Sequence, residues 1–290
     1  MMHESDRVLL CCDLDRTLLP NGPQEESPEA RPLLRSVALH PELALAYVSG
    51  RSAGLIRSAM EGYDLPRPQF AVGDVGTTIY RVYHGEWESV HAWEESLEPD
   101  WAGATREDLA HELTSLSQLR MQPDYELGRF KLSYFVDSQA DLGALGVEVE
   151  QRLSALGVRV GVITSYDESG DVGLLDVLPA GANKLHALRF LIENEGFPVE
   201  RTVFAGDSGN DLAPLASEIP AVLVRNARDE VRNEALRLAR EAGHEAKLHL
   251  AQGGLLGLNG NYSAGALEGL DHFVPEARGW LEVAHSRLRG

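Results

Sequence analysis

Two aspartates near the N-terminus are spaced so that they can act together. Asp13 and Asp15 directly follow the apolar run from Val8 to Cys12, and alternate residues of an extended chain point to the same side. Two carboxylates this close resist ionising together unless a hard divalent cation such as Mg²⁺ lies between them. A carboxylate beside such a cation is a plausible nucleophile toward phosphorus. The alternative is a surface turn that happens to contain Asp-x-Asp.

A second pair of aspartates occurs late in the chain. Asp207 and Asp211 lie in the run Gly206-Asp207-Ser208-Gly209-Asn210-Asp211, directly after the apolar residues Val203 to Ala205. Open α/β sheets place their binding crevice at the carboxyl ends of the strands. If both aspartate pairs follow neighbouring strands, four carboxylates meet at one edge and require a cation. A turn capped by Asp or Asn is the alternative.

Residues that could hold an anion lie between these two pairs. Ser49, Gly50 and Arg51 end a second apolar run and open a predicted helix, where a hydroxyl and free backbone amides favour phosphate. Serine at this position is also a common helix cap. Lys184 begins another predicted helix, where the helix dipole disfavours a cation, which indicates a role in neutralising phosphate and Asp13. An exposed, solvated lysine is the alternative.

A parallel sheet is needed to bring these side chains together. Short apolar runs alternate with amphipathic stretches in the first third of the chain and again after residue 180, a pattern typical of βα units. An antiparallel hairpin is predicted around His84-Gly85. The predicted strands are Val8–Cys12, Leu43–Val48, Phe70–Val72, Thr202–Ala205 and Ala221–Val224. The predicted helices are Pro28–Leu39, Ser52–Tyr63, Lys184–Glu193 and those that start at Asn210, Arg228 and near Tyr262.

The middle of the chain has the different pattern of an α+β insert. Its predicted helices lie near Thr105–Leu119 and Leu142–Leu156, and its predicted strands are Phe130–Val136, Val158–Thr164 and Val172–Leu178. The predicted fold class is therefore α/β: a Rossmann-like core, with helices on both faces of a parallel sheet, interrupted by a cap domain. We assign residues 1–82 and 180–290 to the discontinuous core and residues 83–179 to the cap.

The composition limits the partners. The 290 residues contain 45 Asp and Glu against 26 Lys and Arg, a net charge of −19, which disfavours nucleic acid and anionic membranes. Adjacent Cys11 and Cys12 in an apolar run favour buried thiols in a reducing compartment over a disulfide. No apolar stretch approaches the roughly 18 to 20 residues of a membrane span, and the polar segment 1–7 has no signal core. We expect a cytoplasmic protein that is a monomer.

The order and spacing of these motifs resemble the haloacid dehalogenase superfamily of phosphatases, from Val8 to about Asn226. The resemblance implies that Asp13 is the nucleophile and Asp15 the general acid and then base. It implies phosphate anchors at Ser49 and Lys184, with Gly50, Arg51 and Asn210 nearby. It also implies Mg²⁺ as cofactor, at a site formed by Asp13, Asp15, Asp207 and Asp211.

The insert resembles the α/β cap of the branch that contains Cof-type and sucrose-phosphatase-like enzymes. Lys131 matches a cap lysine that faces the sugar in that group, whereas Arg16 stands where the family often has Asn. The stretches most similar to sucrose-phosphate phosphatases are Tyr47–Ser52, Gly76–Tyr80, Lys131–Ser133, Leu175–Pro179 and Tyr262–Gly265, with His272-Phe273. The resemblance implies hydrolysis of a small sugar phosphate, first of all sucrose 6-phosphate or a related glycosyl phosphate of the compatible-solute type.

Three other functions stay open. Phosphomannomutases look like the same core with a related cap, and they return the phosphate to a sugar. A general hexose-phosphate phosphatase of the Cof type is the second alternative. A non-catalytic sugar-phosphate-binding protein is the third, and the complete set of Asp13, Asp15, Ser49, Lys184 and Asp207 speaks against it.

Overall fold

The computed structural model describes residues 7–123, 128–167 and 171–290. Residues 1–6, which hold most of the segment expected to lack a signal core, lie outside these ranges. Within the described ranges, no helix combines the length and the apolar character that crossing a bilayer requires.

Strands and helices alternate through most of the chain. The strands are β1 Val8–Cys12, β2 Leu43–Val48, β3 Phe70–Gly73, β4 Thr78–Tyr83, β5 Glu86–Ser89, β6 Leu119–Met121, β7 Leu132–Asp137, β8 Val160–Asp167, β9 Val172–Pro179, β10 Thr202–Gly206, β11 Ala221–Leu223 and β12 Leu248–Leu250. The helices are α1 Ala30–Val37, α2 Ala53–Gly62, α3 His91–Trp101, α4 Arg106–Leu113, α5 Leu142–Ser154, α6 Lys184–Glu195, α7 Leu212–Leu215, α8 Asp229–Glu241, α9 Ser263–Phe273 and α10 Ala277–Arg289.

One eight-stranded sheet forms the core, in the order β12-β11-β10-β1-β2-β3-β4-β5. Neighbours from β12 to β3 pair in parallel, and β4 and β5 are added as an antiparallel hairpin. The central strand β1 is buried along its whole length, as expected for a parallel strand that is covered on both faces. Cys11 and Cys12 are free thiols buried in the clusters on opposite faces, which confirms the predicted burial without a disulfide.

Helices cover both faces of this sheet. Apolar residues of α1, α2, α9 and α10 form one cluster, while those of α6 and α8 belong to the other, which continues into the insert. Helix α9 lies directly on β11, because a Cβ on Gly269 would be only 2.3 Å from Val222 Cγ1. The predicted α/β class, with a parallel core sheet and an inserted cap, is confirmed.

The cap is a four-stranded antiparallel sheet in the order β6-β7-β9-β8, with α4 and α5 among its helices. Three elements were not predicted: α3, β6 and β12. The helix predicted to reach Leu119 ends at Leu113, and Leu119 begins β6 instead. The predicted division at residue 83 falls within the β4–β5 hairpin, which pairs with the core sheet. We therefore propose that the cap comprises residues 91–179.

Helix α3 ties the cap to the core. The Trp93 indole N–H donates to the Gly76 carbonyl oxygen at 3.0 Å, next to β4 of the core. The buried Asp100 carboxylate accepts the Gly181 N–H at 2.6 Å and also pairs with Arg159. Because Gly181 lies on the connection that returns to the core, α3 is bonded close to both ends of the insert.

Candidate active site

The order of the core strands brings the predicted motifs to one edge of the sheet. Asp13 follows β1, Ser49 follows β2 and Asp207 follows β10, and β10, β1 and β2 are adjacent and parallel. Their carboxyl ends therefore open on the same crevice. This convergence is the one that the sequence predicted.

Three carboxylates form a buried cluster there. Asp13, Asp207 and Asp211 each offer an oxygen, and these oxygens lie within 4.8 Å of one another. Asp211 is placed by the turn after β10, because its Oδ2 accepts the N–H groups of Asp207 and Ser208 at 3.0 and 3.1 Å. A Cβ on Gly206 would lie 2.6 Å from the Asp211 carboxyl carbon, so only glycine allows this approach. We call the cluster of Asp13, Asp207 and Asp211 the acidic triad.

Lys184 is buried against the triad. Its Nζ donates to Asp13 Oδ1 at 2.9 Å, to Asn210 Oδ1 at 2.9 Å and to Asp211 Oδ1 at 2.7 Å, which uses all three ammonium protons. Burial lowers the pKa of Lys184, but Asp13 and Asp211 outweigh burial and raise it above its ordinary value. Lys184 is therefore charged, and the alternative of an exposed, solvated lysine is wrong.

The neighbouring cations do not fully compensate the negative charge of the triad. Burial raises the pKa of Asp13 well above its ordinary value; Lys184 opposes the rise, and Asp211 and Asp207 add to it. Burial, together with the charge of Asp211, also raises the pKa of Asp207 to about 7, against the opposing effects of Arg16 and Lys184. Buried oxygen ligands without enough compensating charge suit a hard divalent cation. These residues could therefore hold a metal ion.

Asp15 has different partners from the triad. Arg51 binds it in a bidentate pair, from Nε to Oδ2 at 2.7 Å and from Nη2 to Oδ1 at 2.6 Å, and Asn21 donates to Oδ1 at 2.7 Å. Burial raises the pKa of Asp15, but the bonds and charge of Arg51, together with Asn21 and Lys184, outweigh burial and lower it below its ordinary value. The structure thus places the Asp15 carboxylate, a predicted metal ligand, with Arg51.

The loop after β2 joins the core to the cap. Buried Ser49 accepts the Arg51 N–H on its Oγ at 3.2 Å, so its hydroxyl also supports the turn locally. The Gly50 carbonyl oxygen accepts from Nζ of Lys131, a cap residue, at 3.2 Å. The same ammonium lies 3.8 Å from Asp176 Oδ1 in β9. The structure therefore brings the predicted cap lysine to the predicted phosphate loop.

A cavity of about 720 Å³ connects these groups. On the core side it is lined by Asp13, Asp15, Arg16, Gly50, Arg51, Asp207 and Asn210, among others. On the cap side it is lined by Gln122, Lys131, Ile163, Thr164, Ser165, Leu174 and Asp176. Apart from Lys131, these cap residues were not predicted. Asp176 carried a usable signal, since it is the one charged residue in the apolar run Val172–Leu178.

Comparison with known proteins identifies relatives along nearly the whole chain. A Nitrosococcus oceani protein described as HAD-like is 52% identical over 277 residues, which cover 96% of this chain and 74% of that protein. Sucrose-phosphatase 1 of Nicotiana tabacum is 30% identical over 78% of this chain, which spans only 52% of that plant protein. This chain thus matches about half the length of the plant relative.

A solved structure and a family profile agree with these relatives. The sucrose-phosphatase of Synechocystis, determined with sucrose and phosphate, matches with a TM-score of 0.72 and 25% identity, covering 92% of this chain and 98% of that one. The profile of the sucrose-6F-phosphate phosphohydrolase family matches residues 6–274. The chain therefore belongs to the sucrose-6F-phosphate phosphohydrolase family, a family of phosphoric monoester hydrolases within the haloacid dehalogenase superfamily.

Proposed function

We propose that this protein is a Mg²⁺-dependent sugar-phosphate phosphatase with Asp13 as its nucleophile. One observation carries the proposal: the Asp13 carboxylate, bonded to buried Lys184, borders a cavity enclosed by both the core and the cap. The acidic triad would hold Mg²⁺, through Asp13, Asp207 and Asp211. When bound, the ion would supply positive charge to the carboxylates and to the phosphoryl oxygens.

The proposed reaction has two steps. In the first, an Asp13 oxygen bonds to phosphorus, the bond from phosphorus to the sugar oxygen breaks, and Asp15 gives that oxygen a proton. In the second, Asp15 takes a proton from water, the water oxygen bonds to phosphorus, and the bond from phosphorus to the Asp13 oxygen breaks, which releases inorganic phosphate and the Asp13 carboxylate. Lys184 balances charge on Asp13 in both steps.

The contact between Arg51 and Asp15 bears on the protonation state that Asp15 has in each step. A bidentate guanidinium favours the ionised carboxylate, which is the form that activates water in the second step. Proton donation in the first step requires Asp15 to separate from Arg51. Ser49 and the loop around Gly50 would meanwhile bind the phosphoryl group.

The lining of the cavity supports a sugar as the leaving group. Gln122, Lys131, Thr164, Ser165 and Asp176 place amide, ammonium, hydroxyl and carboxylate groups on the cap side. Such groups donate to and accept from sugar hydroxyls. Sucrose 6-phosphate is our first candidate because of the family; mannosylfructose phosphate, glucosylglycerol phosphate, mannosylphosphoglycerate and hexose phosphates form the rest of the panel.

The nucleophile assignment is tested with Asp13→Asn. We expect phosphate release to fall by more than about a thousandfold, because an amide cannot form the acyl phosphate. The measurement is free phosphate from the sugar-phosphate panel with Mg²⁺, alongside circular dichroism to confirm folding. Glu112→Gln, at an exposed position in the cap, is the matched control and should keep wild-type activity.

Three outcomes would contradict the proposal. A folded Asp13→Asn variant that retains normal turnover would exclude Asp13 as nucleophile. Isomerised sugar phosphate in place of free phosphate would favour a mutase, and tight binding of sugar phosphate without release would favour a binding protein.

A further inference from the structure

Arg16 lies beside the acidic triad, and its backbone is held firmly. The Arg16 N–H donates to Asn21 Oδ1 at 2.8 Å, and the Arg16 carbonyl oxygen accepts from Asn226 Nδ2 at 2.6 Å. Its φ of +58° is left-handed, a region that residues other than Gly, Asn and Asp seldom adopt. The chain is thus fixed at the point where this side chain enters the cavity.

The Arg16 guanidinium is bonded much more loosely than its backbone. Within the described ranges, Nε donates to Asp207 Oδ2 at 3.3 Å and Nη2 donates to the Asn226 carbonyl oxygen at 3.4 Å. Both distances exceed the usual range for N–H···O bonds. The side chain is 25% exposed and lines the cavity. Lys184, by contrast, makes three bonds of ordinary length.

Arg16 is the cation nearest to Asp207 in the hydrogen-bond network. The three protons of Lys184 are used by Asp13, Asn210 and Asp211. The other partner that the described residues supply to the Asp207 carboxylate is the neutral Thr17 hydroxyl, at 3.2 Å. A divalent cation that enters the triad must therefore share the Asp207 carboxylate with a guanidinium whose positive charge opposes it.

We propose that Arg16 is an internal counterion of Asp207 that competes with a divalent cation for this carboxylate, so that Arg16 weakens metal binding. This inference rests on the metal site of the proposed function and adds a residue that regulates its occupancy. A guanidinium that moves away from Asp207 stays tethered by the fixed backbone at the cavity wall, where it would face the phosphorylated substrate.

The test is isothermal titration of Mg²⁺ into the full-length protein, without substrate, at moderate salt. Arg16→Asn is the first variant, because Asn tolerates the left-handed backbone, and Arg16→Gln is the second. Both should bind Mg²⁺ about two- to fivefold more tightly than the wild type, as expected when one partly exposed charge pair no longer competes. Thermal unfolding confirms that each variant is folded.

Two control variants make the result specific. Arg225→Gln removes the same charge from an exposed residue just beyond β11, where Arg225 donates to the Asn259 carbonyl oxygen; its affinity for Mg²⁺ should stay near that of the wild type. Asp207→Asn should lose most Mg²⁺ binding.

The possible failures are distinguishable. Folded Arg16 variants with unchanged or weaker binding, or equal tightening in Arg225→Gln, would overturn the role of Arg16 and leave the proposed function standing. If the wild type bound no Mg²⁺, or Asp207→Asn bound it normally, the metal site and the role of Arg16 would both be wrong.

Discussion

At the scale of residues, burial and the nearest cation together set the pKa of each carboxylate at the site. Asp15 and Asp13 stand two positions apart in the sequence, yet the pKa of Asp15 is lowered and that of Asp13 is raised. Asp13 is buried and shares Lys184 with Asp211, whereas the Asp15 side chain is 42% exposed and has a guanidinium to itself. The pair thus has two different electrostatic environments, which suits the two roles proposed for them.

Asp74 is a buried carboxylate outside the triad. It is 3% exposed, and its Oδ2 accepts from Thr78 Oγ1 at 3.2 Å. Its Oδ1 is buried and has no hydrogen-bond partner in the described part of the chain. Burial raises the pKa of Asp74 to about 6, although Lys131 and Thr78 lower it in part. Ionisation of Asp74 therefore destabilises the folded state.

We expect Asp74→Asn to stabilise the protein at neutral pH. Between about pH 4 and 6 the folded wild type keeps a proton that the unfolded chain loses, so its free energy of unfolding falls as pH rises. The difference between a pKa of about 6 and the ordinary 3.8 corresponds to about 3 kcal/mol. Relative to the wild type, the free energy of unfolding of the variant should be higher by up to this amount above pH 6 and unchanged below pH 4. Urea unfolding at a series of pH values measures this difference.

Glu112→Gln, which removes an exposed charge, serves again as the control and should not show this pH dependence. Lower stability of Asp74→Asn at pH 8 would show that the carboxylate contributes to the fold in its ionised form.

At the scale of elements, α3 has the least expected role. Pro99 lies inside this helix, and proline within a helix removes a backbone hydrogen bond, so the sequence pattern did not predict it. Its anchors are tertiary: the Trp93 indole reaches Gly76, and the Asp100 carboxylate reaches Gly181. Packing and these two bonds therefore stabilise a helix that Pro99 weakens locally.

We expect Asp100→Ala to lower the free energy of unfolding by about 1 to 3 kcal/mol, because the Gly181 N–H loses its acceptor. Arg159→Gln is the matched variant, since it removes the other partner of Asp100. The Arg159 side chain is 72% exposed, so Arg159→Gln should lower the free energy of unfolding by less than about 1 kcal/mol. Urea unfolding compares the two, and equal losses would show that the ion pair is the anchor.

At the scale of the whole molecule, the charge is unevenly distributed. The net charge is −19, but Arg16, Arg51, Lys131 and Lys184 all lie at or beside the cavity. A phosphorylated substrate is repelled at long range and attracted only nearby. Added salt screens the long-range repulsion first, because the Debye length falls from about 30 Å at 0.01 M to about 8 Å at 0.15 M.

We therefore expect kcat/KM for a sugar phosphate to rise by up to a few-fold as NaCl is raised over this range at saturating Mg²⁺. Initial rates of phosphate release at low substrate concentration give this quantity directly. A fall in kcat/KM with added salt would show that the cations around the cavity dominate the approach of substrate.

The sequence by itself predicted the core well, because its signals are local. Apolar runs marked β1, β2, β3 and β10, and polar residues directly after them marked the crevice. The strands predicted at the positions of β1, β2 and β10 match the observed ones to within about one residue. The cap was predicted less completely, since α3 and β6 lack a clear periodic pattern and depend on tertiary contacts.

The sequence thus determined which residue types end the core strands and hence the family and its chemistry. Only the tertiary structure decided which charge meets which partner. Arg51 reaches Asp15 across 36 positions, and Lys184 reaches Asp13 across 171. Such pairs depend on the order of the strands and on the geometry of the turns, which no local pattern encodes. For that reason the sequence placed Asp13 and Asp15 together, and the fold gave them different electrostatic environments.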